Sequence, residues 1–272
     1  MSIINKFFNK VYIICLEDKT KLWNDIKKKL DKKKIKAEKF IALDGRCTSD
    51  ETMQQCIDKI KTFEIILNTK IKIPSQDEDD LDVLSPRLSL SIGTLKILKN
   101  MVKENYDYIL ILEPDVYFDK HLDEKFINGI KELGDAKWDL LYLGSGSRSG
   151  LRGISVNKTE ENKYFSDLAK IENMEFYVAN KDDTRKPCKK CKEYSDHLTI
   201  PYEPHGGFGI GYSLSGAKKV IKFMEKNMID HHDVLKGDKI RTGKIKAFSF
   251  DPPILYHSSG VNREDTTIPW DW

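Results

Sequence analysis

No stretch of this 272-residue chain approaches the roughly 20 consecutive apolar residues that cross a bilayer. The first sixteen residues interrupt their one apolar stretch with a lysine and show no small-residue cleavage site. Neither a membrane span nor a secretory signal is expected, and a cytoplasmic location is. Charge of one sign is also missing: 46 Lys+Arg face 43 Asp+Glu, a net +3, so no global field for polyanions follows. Cysteine is sparse. Cys15, Cys47, Cys56, Cys188 and Cys191 are an odd number spread along a long chain, unlike the dense framework of a small disulfide-stapled domain. Cys188-Lys-Lys-Cys191 lacks the second ligand pair of a zinc site, with His197 the one nearby candidate, and reads as two thiols in a lysine-rich surface loop. Glycine-rich phosphate loops are absent too, so a bound nucleotide would be held through a metal.

What is present is an alternation of short β-branched apolar runs with helical spacing, the pattern of βαβ units and a largely parallel sheet. Strands are expected at Val11 to Leu16, Lys39 to Leu43, Tyr108 to Leu112 and Trp138 to Leu143. Helices are expected at Thr20 to Leu30, Asp50 to Leu67, Ser89 to Glu104 and Leu122 to Leu133. From Ser145 to Thr199 the texture turns polar and lysine-rich, which reads as an insertion, a lid or acceptor-binding surface on one domain covering residues 1–272. Regular structure resumes with Gly206 to Ser213, an amphipathic helix from Ser215 to Lys226, and strand-like Ile245 to Phe250 and Pro253 to Tyr256. The eight lysines between Lys27 and Lys39 carry no interleaved aromatics, so they read as the solvated face of a helix and not as a nucleic-acid patch.

Ligands of open α/β sheets bind beyond the carboxyl ends of the strands. There the third run ends in Glu113-Pro114-Asp115, two carboxylates two positions apart that on an extended segment address one hard cation such as Mn²⁺ or Mg²⁺. A solvated acidic turn is the plainer alternative. The second run ends in Asp44-Gly45-Arg46, whose guanidinium can grip a phosphate or whose residues simply make a turn. Late in the chain, Asp230-His231-His232-Asp233 follows the amphipathic helix. Taken as an extended segment it offers one functional acid more readily than a zinc cluster, with Asp230 the candidate base and Asp233 the next. His257, after an apolar run, is either a lone metal ligand or a satisfied histidine.

Taken in order, Val11 to Leu16, Phe40 to Arg46, Leu88 to Leu98, Tyr108 to Phe118, Trp138 to Gly144, Gly211 to Val220 and Ile229-Asp230 resemble glycosyltransferase family 25, which includes lipopolysaccharide sugar transferases and procollagen galactosyltransferases. The resemblance runs from Val11 to about Ser258, with the 145–199 segment unmatched. It implies an α/β fold of the GT-A, Rossmann-like nucleotide-sugar-binding type. It further implies a UDP-sugar donor, a Mn²⁺-type cation and inversion at the anomeric carbon. By it Leu16, Asp44 and Arg46 stand on the donor side, Glu113 and Asp115 at the acidic metal motif, and Asp230 at the late Pro-Val-Asp. The middle acid of that metal motif is Pro114 here, and the Ser-His of the family is Ser91-Ile92. The expected activity is transfer of a hexose, galactose or glucose, to an acceptor hydroxyl on a glycan or protein, hydroxylysine of collagen-like chains included. A non-catalytic binding module on the same scaffold is the alternative from another class.

Overall fold

The computed structural model describes residues 1–44, 52–67, 78–145, 150–151, 188–227 and 232–257. Ten strands appear among them: β1 (Lys10–Cys15), β2 (Glu38–Ile41), β3 (Tyr108–Leu112), β4 (Val116–Phe118), β5 (Leu140–Gly144), β6 (Lys192–Glu193), β7 (Leu198–Ile200), β8 (Gly209–Ser213), β9 (Ala247–Phe250) and β10 (Leu255–His257). Eight of them form one sheet in the order β2-β1-β3-β8-β5-β9-β7-β6, while β4 and β10 pair separately. Because β1 is parallel to β2 and β3, and β8 is antiparallel to both β3 and β5, strands β1, β2, β3, β5 and β9 all run one way. The sheet is therefore mixed α/β, with an antiparallel strand at its centre where a largely parallel sheet is expected from the sequence. Two glycines suit β8 to that place: a Cβ at Gly209 would lie 2.2 Å from Leu255 Cδ1, and one at Gly211 would lie 2.8 Å from Phe8 Cε1.

The strands read as continuous apolar runs because both faces of the sheet are covered. Tyr12 and Ile14, Ile109 and Ile111, and Leu140 and Tyr142 face one core, packed by the helices Met53–Leu67, Glu78–Glu104, Leu214–Asn227 and His232–Arg241. The alternate residues Val11 and Ile13, Leu110 and Leu112, and Leu141 and Leu143 face the other, under Ile3–Phe7, Thr20–Lys32 and Leu122–Leu133. Half of the lysine run, Lys27, Lys28, Lys29 and Lys32, falls on the helix Thr20–Lys32, whose Ile26 and Leu30 are buried. Lys29 Nζ sits 3.4 Å over the Tyr117 ring and Lys33 donates to the Asp119 carbonyl at 2.8 Å, so part of the run fastens β4 to the helix.

Helix Leu214–Asn227 begins against β5. Ser213 Oγ accepts from the Gly216 N–H at 3.0 Å and donates to the Trp138 carbonyl at 2.8 Å, an N-cap tied to the neighbouring strand. A Cβ on Gly216 would lie 2.0 Å from the Asp139 carbonyl oxygen, a backbone atom that cannot swing away. Gly216→Ala is expected to destabilise the chain by about 1–3 kcal/mol, the usual cost of overpacking, read as a lower urea midpoint. An unchanged midpoint would mean that this approach is not close in solution.

The segment 145–199 is not wholly an insertion. Its last dozen residues belong to the scaffold, since β7 pairs with β9 and β6 with β7. Cys188 and Cys191, read from sequence as surface thiols, are buried and joined in a disulfide, and the Cys188 N–H donates to the Gly150 carbonyl at 2.9 Å. Residues 152–187 lie outside the described residues. His197 does not approach the sulfurs as a ligand: its Nδ1 is 2.5 Å from Glu132 Oε1, and Glu132 also accepts from Ser195 Oγ at 2.5 Å. These bonds pin the β6–β7 turn to the helix Leu122–Leu133.

Candidate functional site

From β1 the chain crosses to β2 on one side, and β3 then lies on the other side of β1. That reversal is the topological switch point, between the carboxyl ends of β1 and β3, beyond which open α/β sheets have their ligand crevice. The same edge collects the residues that follow each parallel strand: Leu16 after β1, Asp44 after β2, Glu113 to Asp115 after β3, Ser145 after β5 and Asp251 after β9. Leu16 is buried and its carbonyl accepts from the Lys19 N–H at 3.3 Å. Asp44 is exposed, and Arg46 lies outside the described residues.

The acidic motif is shaped differently from the extended segment read in the sequence. Pro114 and Asp115 form a turn between β3 and β4, so strand alternation does not describe them. Nor is the turn a solvated one: Glu113 is partly exposed, but Asp115 is only 6% exposed. Burial of a carboxylate is costly without compensating charge or hydrogen bonds, which sets Asp115 apart from an ordinary turn residue. The backbone around it is fixed at three points. The Glu113 N–H donates to the Phe208 carbonyl at 3.0 Å, β4 pairs with β10, and buried Asp119 accepts from Lys125 Nζ at 2.7 Å and Tyr256 Oη at 2.9 Å. The β4–β10 register sets His257 opposite Val116, the residue after Asp115. The backbone thus brings His257 to the acidic turn.

Among the described residues no group of three or more His, Cys, Asp or Glu side chains is gathered to hold a metal. A hard cation bound chiefly through substrate phosphates needs only one or two protein carboxylates. The oxygen donors of Glu113 and Asp115, one partly open and one buried at the crevice, fit that requirement.

Of the late acids, Asp233 is not on an extended segment but in the first turn of a helix. Asp230 lies outside the described residues, and His232 begins the helix His232–Arg241. Its first turn is knitted into the core. Buried His232 Nδ1 is 2.9 Å from Ser91 Oγ, its Nε2 is 3.3 Å from Asp233 Oδ1, and Lys236 Nζ is 2.9 Å from the same Oδ1. Lys236 is 1% exposed and donates to Tyr212 Oη at 3.3 Å. Burial opposes charge on both partners. The lysine nevertheless holds Asp233 far below the usual carboxylate range, and Asp233 holds Lys236 above the usual lysine range. A carboxylate so firmly ionised is a poor proton acceptor, which counts against Asp233 as the second candidate base. Tyr142 and Tyr212 are pushed upward by burial and stay protonated.

Sequence reasoning misses Lys236. An Asp and a Lys three apart on a polar helix look like a surface pair, and only packing shows that the ammonium is buried between strands and helix. Tyrosines in two core strands, Tyr142 and Tyr212, are the one available hint that something polar meets that face.

No family model matches the chain, and no curated protein does. Among solved structures it is similar to the mannose-1-phosphate geranyltransferase from Thermus thermophilus, at 9% identity and a TM-score of 0.29, over 90% of this chain and 70% of that one. Among the described residues no helix is long and apolar enough to cross a membrane.

Proposed function

We propose that this chain is a metal-dependent inverting glycosyltransferase of the GT-A type, moving a hexose, galactose or glucose, from a UDP-sugar to an acceptor hydroxyl. The observation that carries the proposal is the switch point in the strand order, where a buried aspartate, Asp115, stands with Glu113 at the carboxyl end of β3. The ordered resemblance of the sequence to glycosyltransferase family 25 supports it. Glu113 and Asp115 hold the cation, with His257 the candidate third ligand, and Leu16, Asp44 and Arg46 complete the donor side. A bound Mn²⁺ or Mg²⁺ supplies charge neutralisation to the diphosphate. The acceptor oxygen attacks the anomeric carbon as the bond from that carbon to the diphosphate breaks, its electron pair leaving with UDP. The proton of the acceptor goes to a carboxylate away from the diphosphate, Asp230. The acceptor is a glycan or a protein, with hydroxylysine of a collagen-like chain and surface-glycan sugars as its two classes.

The test is a panel of UDP-hexoses with luminescent detection of UDP, with and without Mn²⁺, and with and without a hydroxylysine peptide or a sugar acceptor. Mn²⁺-dependent UDP release from one donor, with an inverted anomer by NMR, is expected. Metal-independent binding without release would instead make the chain a non-catalytic module, the outcome Pro114 in place of the middle acid would explain.

A further inference from the structure

The Asp233–Lys236 pair is an expensive construction, and its geometry says what it is for. A buried ion pair is weak evidence for stability, since apolar residues of similar volume often serve as well. Both contacts go to one oxygen: Lys236 Nζ and His232 Nε2 meet Oδ1. No hydrogen bond joins Oδ2 to any described residue, and the side chain keeps 28% of its surface open. Asp233 also sits at the right edge of the sheet. Its Oδ1 lies 3.6 Å from where a Cβ on Gly207 would be, and the next residue, Phe208, accepts the Glu113 N–H through its carbonyl.

We infer that Asp233 is a hydroxyl-reading carboxylate for the hexose ring of the donor, with Lys236 and His232 as positioning residues that clamp Oδ1 and leave Oδ2 to accept. The inference rests on the proposed UDP-sugar reading, because the hexose follows the diphosphate away from Glu113 and Asp115. An ionised carboxylate is acceptor-only, and a fixed one favours hydroxyls, which donate, over ether or carbonyl oxygens, which do not. The groups that interact with it are Lys236 and His232 on its own helix, His205 on the loop before β8, Tyr142 on β5 and Tyr212 on β8. Ser91, on the helix Glu78–Glu104, holds His232 from behind.

The experiment compares UDP with UDP-hexose by calorimetry in Mn²⁺, for the wild type, Asp233→Asn and Lys236→Met. In the wild type the hexose adds affinity over UDP. In Asp233→Asn that increment is expected to fall by about 10- to 100-fold, the worth of hydrogen bonds to a charged group, while UDP alone binds unchanged. In Lys236→Met the carboxylate loses the charge that holds it low while burial still pushes it up, so the hexose increment gains an acid limb that the wild type lacks. A merely structural pair would shift thermal stability and leave both the increment and its pH profile alone. If Lys236→Met does not fold, Asp233→Asn, which keeps volume, carries the test. An unchanged increment in Asp233→Asn, with wild-type UDP binding still metal-dependent, overturns the inference and leaves the glycosyltransferase proposal standing. Failure of the wild type to bind UDP overturns both.

Discussion

Transfer by the Asp230→Asn variant is expected to fall by about two to four orders of magnitude, the usual worth of a positioned general base, while donor binding survives. In an inverting displacement the acceptor attacks opposite the leaving diphosphate, so its proton must reach a carboxylate remote from the metal. In the proposed site the acids that follow the early strands, Asp44, Glu113 and Asp115, serve the diphosphate, so the base must come from elsewhere. The late segment can supply it. It is anchored immediately afterwards by the buried Ser91–His232 contact, and its other acid, Asp233, is neutralised by Lys236. Asparagine keeps the size and hydrogen bonding of Asp230 and removes only basicity. Near-normal transfer in a coupled assay would place the base elsewhere. Loss of UDP-sugar affinity as well would move Asp230 to the donor side.

Asp115→Asn is expected to weaken Mn²⁺-dependent UDP binding by about 100-fold, corresponding to roughly 3 kcal/mol for removing one charge from a buried charge pair. The burial of Asp115 decides the choice of variant. Alanine at a 6% exposed position would leave a cavity beside the β3–β4 turn, whereas asparagine keeps the shape, so a thermal midpoint close to that of the wild type is the required control. Unaltered UDP affinity in a correctly folded Asp115→Asn protein would remove the residue from the metal site. Glu113, partly exposed and able to act through water, is expected to show a smaller effect when changed to glutamine.

Much of the scaffold is legible in the sequence because both faces of β1, β3 and β5 are buried, which makes each an apolar run too short for a helix. The run Tyr108 to Leu112 and the helix Leu122–Leu133 match their expected bounds. Direction is a different matter. Nothing local in Gly209 to Ser213 states that β8 runs against its neighbours, because strand sense is decided by which edges the rest of the chain leaves open. Of the two-stranded pair, β10 overlaps the strand-like Pro253 to Tyr256 while β4 escapes for its shortness, three residues, and β6 and β7 escape for the polar stretch around them. At the site, position after a strand singles out Glu113 and Asp115, yet the turn that carries them and the burial of Asp115 are tertiary facts. The Asp233–Lys236 clamp is less visible still, since its spacing is that of an ordinary exposed pair. Arg46 and Asp230 fall outside the described residues.

The most direct measurement of the central claim is a calorimetric titration of UDP into the wild-type protein, once in Mn²⁺ and once in EDTA. A metal-held diphosphate at the β1–β3 crevice predicts saturable binding in Mn²⁺ that disappears in EDTA. Equal affinity in the two buffers, or no binding in either, would contradict it.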